Sequence, residues 1–171
     1  TDIDFQSCEV RILKRPHDVE DPRRRKPNVK TRGRLLPLDE ELVELTRKYI
    51  KEVRGKYSGA KRHSFLFVAL GSGAPMSLSA LNKLFVVLRS RVPDLPEKLS
   101  PHVLRHNWND MFSEMMDAKG IPEAREEKWR SRLMGWTENS GSASVYTKRH
   151  VQRKAAEASL AMQARTRRGS T

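Results

Sequence analysis

Histidine and arginine three positions apart, as in His102-Val103-Leu104-Arg105-His106, are residue types that can grip a phosphate. On a helix that spacing turns both side chains toward one small volume. Arginine offers a planar fork of donors matched to two phosphate oxygens and stays charged at any working pH, while histidine donates a hydrogen bond or moves a proton. Proximity to a helix N-terminus adds a dipole that favours an anion. Downstream come a Gly135-Trp136 pair and a lone tyrosine, Tyr146, inside a basic segment. A tyrosine hydroxyl is a nucleophile once something accepts its proton. Together these residues describe a pocket that could hold a phosphodiester and attack it.

The elements that must position them follow from caps and periodicity. Ser100-Pro101 supplies an N-cap and a proline at the first helical position, and the helix carrying His102 and Arg105 should run to about Lys119-Gly120. Pro122 opens the next helix, through Trp129 and Leu133, and Gly135 ends it. Residues 138–144 form a polar Gly/Ser loop leading into Val145-Tyr146, and 149–164 are rich in helix formers. Before these, residues 1–14 alternate like short strands and turn at Arg15-Pro16. A mobile basic loop (15–28) containing Arg23-Arg24-Arg25-Lys26 leads to a strand over 29–38. Asp39 caps a helix over 40–54 with Leu42, Leu45, Tyr49 and Ile50 at helical spacing. Phe65 to Val68 reads as a short strand, and Ser77 or Ser79 starts a helix through Leu81, Leu84, Phe85 and Leu88. The expected fold is α+β: a mainly helical domain over 1–165 with a small antiparallel β-sheet in residues 1–38, helices over 39–165, and a flexible basic tail at 166–171.

Composition limits the function classes. Lys and Arg number 34 against 21 Asp and Glu, a formal net charge of +13, which implies a polyanionic partner. No apolar run approaches the ~18 residues of a spanning helix, so nucleic acid fits better than membrane, and a soluble protein of the cytoplasm, associated with the nucleoid, is expected. The single cysteine, Cys8, excludes an intrachain disulfide framework and a paired-cysteine zinc site. Acidic residues sit in helical runs such as Glu40-Glu41 and Glu123 to Glu127, which read as solvated faces; neither a metal nor another cofactor is expected.

In their order and spacing, His102-Val103-Leu104-Arg105-His106, Leu133-Met134-Gly135-Trp136 and Val145-Tyr146-Thr147 resemble the catalytic domain of the tyrosine recombinase, or phage integrase, family. The resemblance implies that Tyr146 attacks the scissile phosphate and forms a 3′-phosphotyrosyl link, expelling a 5′-hydroxyl. Arg105 would neutralise charge on the non-bridging oxygens, and His102 or the phosphate itself would take the tyrosine proton. Lys30, in a family-like β-hairpin, would protonate the leaving oxygen, with Arg32 and Lys26 leaving the register open. Trp136 stands where many relatives have histidine, either donating its indole N–H or packing beside the tyrosine; His106 would support the helix. The family's further arginine, in an R-x-x-E setting, would fall before residue 1. Two explanations fit: a degenerate relative lacking that arginine, or, as the start in mid-motif favours, a C-terminal fragment, which is expected to bind DNA weakly and cleave it poorly or not at all alone.

Double-stranded DNA is the implied partner, with a homotetramer on DNA expected for the longer protein. Phosphate contacts are expected from Arg23, Arg24, Arg25, Lys26, Arg32, Arg34, Lys61, Arg62 and Lys83, joined by Arg89, Arg91 and the basic C-terminus. Two alternatives share the fold: a non-catalytic DNA-binding module, and a type IB topoisomerase-like enzyme.

Overall fold

A computed structural model describes residues 2–15, 21–23, 29–137 and 140–168. The chain divides into two compact units, Thr1–His102 and Val103–Thr171. The α+β, mainly helical fold expected from the sequence is the one observed.

The first unit opens with strands β1 (Ile3–Asp4), β2 (Glu9–Ile12) and β3 (Arg34–Pro37), antiparallel and in that spatial order. Ile3 faces Val10, and Val10 faces Leu36. The β1–β2 turn is closed by Asp4, whose carboxylate accepts from the N–H groups of Gln6 (2.9 Å) and Ser7 (3.1 Å). Those backbone bonds hold the Asp4 carboxyl below its ordinary value. The strand expected over 29–38 is confined to Arg34–Pro37. Ile12, the last paired residue of β2, sits opposite Arg34, and residues 13–15 leave the ladder, so 29–33 have no β2 residue to pair with.

Helix α1 (Glu40–Glu52) starts where Asp39 accepts the Glu41 N–H at 2.9 Å. After it, two short 3-10 turns, Arg54–Lys56 and Ser58–Arg62, fold around Arg54, which donates to the carbonyls of Phe65 (3.0 Å), Ala60 (2.7 Å) and His63 (2.7 Å). This explains why the strand expected at Phe65 to Val68 is absent and a single bridge, Val68 to Pro75, takes its place. The Phe65 carbonyl goes to Arg54, and the Val68 N–H goes to the Tyr49 hydroxyl at 3.2 Å, so side chains consume the groups a strand partner would use. Gly59 is required here, since a Cβ would lie 2.1 Å from the Ser72 carbonyl oxygen. Helix α2 (Leu78–Arg91) is capped by Ser77, which settles the choice between the two serines.

Helix α3 (Pro101–Ala118) begins at the expected proline, and the division between units falls after its second residue. The second unit holds the rest of α3 with α4 (Glu123–Met134) and α5 (Ser142–Arg168). Gly120 (φ 62°) turns the chain between α3 and α4, and Gly135 (φ 68°) ends α4 in the left-handed conformation, its cap completed by the Trp136 N–H donating to Ser131 O at 2.9 Å. α5 starts seven residues earlier than the helix-forming run at 149, so Tyr146 lies within a helix and not at the end of a loop. The reason is local: Gly141 (φ 65°) is the last breaker, and nothing after it in 142–168 opposes a helix.

Candidate active site

Three separate motif pieces meet in the second unit. The Gly135 cap directs Trp136 out of α4, and its indole stacks on Tyr146, with ring centroids 5.6 Å apart and planes 8° from parallel. The Arg105 guanidinium lies over the same indole, 5.8 Å from its centroid. His106, one residue on, approaches Tyr146 from α3 at 5.5 Å. Tyr146 is thus 9 % exposed, while Arg105 is exposed.

Charge surrounds the tyrosine more densely than the motif implies. Arg149, three residues along α5, carries its guanidinium 5.3 Å from the Tyr146 ring, donates to His106 Nδ1 at 3.3 Å and pairs with Asp110. Arg130, from α4, has its guanidinium 5.8 Å from the same ring and 5.1 Å from the Phe112 ring. A turn beyond, buried His150 donates from Nε2 to Asp117 at 2.6 Å while its Nδ1 accepts from Arg153.

Beneath these rings the core is polar. Arg130 has no exposed surface; Nη1 donates to Asn109 O (3.0 Å) and Oδ1 (2.9 Å), and Nη2 donates to Ser113 Oγ (2.6 Å) and to the Glu126 carboxylate. Ser113 in turn donates to Glu126 at 2.7 Å. Burial pushes the Arg130 guanidinium down from its ordinary value, opposed by the carboxylate of Glu126. The reading of Glu123 to Glu127 as a solvated face is therefore wrong at Glu126, which is 3 % exposed. Sequence reasoning missed Asn109, Ser113, Glu126, Arg130 and Arg149. The i,i+4 pairs Glu126/Arg130 and Asn109/Ser113 were visible, but the same spacing is ordinary on a wet helix surface.

The other expected residues are placed as follows. His102 is exposed in the first turn of α3, one helical turn before Arg105. Lys30 is exposed in the irregular stretch before β3, in the first unit. Arg32, Lys61, Arg62 and Lys83 are exposed, whereas Arg34 is held by Thr31 Oγ1 at 3.0 Å. Arg23 is engaged internally: it pairs with buried Asp21 at 2.7 Å, donates to Met76 O and lies over the Phe65 ring. Those contacts occupy the fork that was expected to meet phosphate. Arg24, Arg25 and Lys26 lie outside the described residues.

The family model described as "Phage integrase family" matches residues 1–153, from before β1 into α5. The chain belongs to the phage integrase family. Comparison with curated proteins and with solved structures gave no match. The matched span of this integrase-family chain includes the H-x-x-R-H segment, Gly135-Trp136 and Tyr146. The family is one of DNA recombinases and acts on DNA. No helix among the described residues is long and apolar enough to cross a membrane.

Proposed function

We propose that this domain cleaves and rejoins DNA strands through Tyr146. In the forward step the Tyr146 oxygen bonds to phosphorus, the bond from phosphorus to the 5′-oxygen breaks, and a 3′-phosphotyrosyl ester and a free 5′-hydroxyl result. The tyrosine proton passes to His102 or to a phosphate oxygen, and Lys30 protonates the leaving 5′-oxygen. Arg105 balances charge growing on the non-bridging oxygens. Trp136 holds the tyrosine ring by its stack and presents an indole N–H donor. Exposed Arg32, Lys61, Arg62 and Lys83 contribute phosphate contacts along the duplex.

The observation that carries this reading is the stack of Tyr146 on Trp136 with Arg105 over the same indole, a cluster drawn from residues far apart in sequence.

The test is covalent capture. The product of the whole reading frame, and separately residues 1–171, would be mixed with a pool of random-sequence duplexes carrying a nick, so that a short strand escapes after cleavage and traps the ester. A denaturation-resistant adduct that disappears in Tyr146→Phe is expected, and Arg105→Ala should slow its formation ~100- to 1000-fold. Absence of any adduct with either protein would refute the proposal. Relaxation of supercoiled DNA without site preference would redirect it to topoisomerase-like chemistry.

A further inference from the structure

We infer that Arg130 is a positioning residue for strand cleavage, a buried fork that sets Tyr146 and Arg105 relative to one another. The inference rests on the cleavage reading above. Its basis is that one side chain of α4 reaches both catalytic neighbours from inside the core. Toward α5, the guanidinium sits 5.8 Å from the Tyr146 ring. Toward α3, Nη1 is bonded to the Asn109 side-chain oxygen at 2.9 Å, and the amide nitrogen of that same side chain donates to the Arg105 carbonyl at 2.7 Å. Arg130 therefore meets the nucleophile directly and the phosphate-binding residue through one intervening amide.

Two features argue that this is more than a buried ion pair. First, the Nε–H is buried and makes no hydrogen bond, so the side chain accepts an unsatisfied donor in order to hold its present pose. An apolar residue of equal volume, with apolar partners at positions 109, 113 and 126, would fill the space without that deficit. Second, the cation lies near an aromatic ring that gains negative charge as its hydroxyl loses a proton to the acceptor, and the attraction between ring and guanidinium grows along that coordinate. Arg149 approaches the same ring at 5.3 Å but is exposed at its other end and shared with Asp110 and His106. Arg130 has no such freedom: both its terminal nitrogens are bound to α3, and one also to Glu126.

The test uses the product of the whole reading frame and the random-sequence nicked duplex pool. The variants are Arg130→Met/Glu126→Leu, which removes both charges, and Arg130→Lys, which keeps the charge and loses the fork; near-ultraviolet circular dichroism confirms that each is folded. Three readings are taken: duplex affinity, the single-turnover rate of adduct formation, and the fluorine resonance of Tyr146 in fluorotyrosine-labelled protein, assigned by its loss in Tyr146→Phe. Affinity should stay within ~2-fold, because a buried side chain meets no DNA. The adduct rate of the double variant should fall ~10-fold or more, with Arg130→Lys in between, and the Tyr146 resonance should move in both. If the double variant does not fold, a slowed Arg130→Lys with unchanged affinity and a moved resonance carries the inference alone. An unchanged rate in a folded variant, or a slowed rate with an unmoved resonance, overturns it while leaving the cleavage reading intact. An absent adduct in the unmodified protein instead defeats both.

Discussion

The separate losses on removing Glu126 and on removing Arg130 should together far exceed the loss on removing both. Arg130 has no exposed surface and Glu126 only 3 %. Glu126→Leu would leave a guanidinium in the core facing Asn109 and Ser113, neutral groups that can bond it but cannot balance its charge. Breaking a buried pair in this way costs about 3–5 kcal/mol, against a total of about 5–15 kcal/mol for a typical domain. Arg130→Met would strand the carboxylate with the Ser113 hydroxyl, at a similar cost. In Arg130→Met/Glu126→Leu no charge is left buried and the unbonded Nε–H is gone, but buried Asn109 and Ser113 lose partners at about 1–3 kcal/mol each, so the double variant should lose well short of the sum of the two single losses. The coupling between the two sites would then amount to several kcal/mol, well beyond the ~0.5 kcal/mol scatter of independent sites. The assay is urea unfolding followed by tryptophan fluorescence. All three tryptophans, Trp108, Trp129 and Trp136, fall in the second unit, so the signal reports the unit that contains the pair. Single variants that each lose less than about 1 kcal/mol would refute the reasoning, because a pair so cheaply broken is reached by water.

Further outcomes follow from individual contacts. Gly135→Ala puts a Cβ on a residue at φ 68° and should destabilise the second unit by about 1–2 kcal/mol in the same urea assay. Gly59→Ala brings a Cβ to 2.1 Å from a backbone oxygen, and circular dichroism should show a loss above about 2 kcal/mol in the first unit. The carboxyl of Asp2 is held below its ordinary value chiefly by its hydrogen bonds from Arg15. A depressed acid contributes stability above its unfolded value of about 4 and loses it as pH falls through the folded value. Both side chains are well exposed, so Asp2→Asn should cost at most a few tenths of a kcal/mol at pH 7, read by thermal unfolding, and nothing once both carboxyl forms are protonated.

Four helix boundaries were legible because each is written in one or two residues: Asp39 before α1, Ser77 or Ser79 before α2, Pro101 at the head of α3 and Gly135 after α4. Pairing partners were not. Phe65 to Val68 has the composition of a strand, yet whether it forms one depends on Arg54 and Tyr49 taking its backbone groups, and nothing in a local window reveals that. Tyr146 was legible as a motif residue, but its helical setting was not, because the polar run before it resembles a loop until Gly141 is recognised as its end. Arg23 shows the same limit from the other side. Within a run of basic residues its partner looked like a polyanion, and only the fold reveals Asp21 and Phe65 in that place.

On the proposed cleavage reading, the rings and charges around Tyr146 account for an unusually polar interior. A nucleophile that must meet one phosphorus atom along a fixed line loses rate steeply if its ring can rock. The flat contacts available here are direction-sensitive: an indole nearly parallel to the ring and guanidinium groups whose donors are fixed on Asn109, Ser113, Asp110 and His106. Each of those partners lies on α3, the helix that also carries Arg105, so restraining the tyrosine and placing the phosphate grip proposed for Arg105 would become a single packing problem. On the cleavage reading, that arrangement sacrifices some stability to buried polar groups in exchange for fixed geometry between Tyr146 as nucleophile and Arg105 as anion-binding arginine.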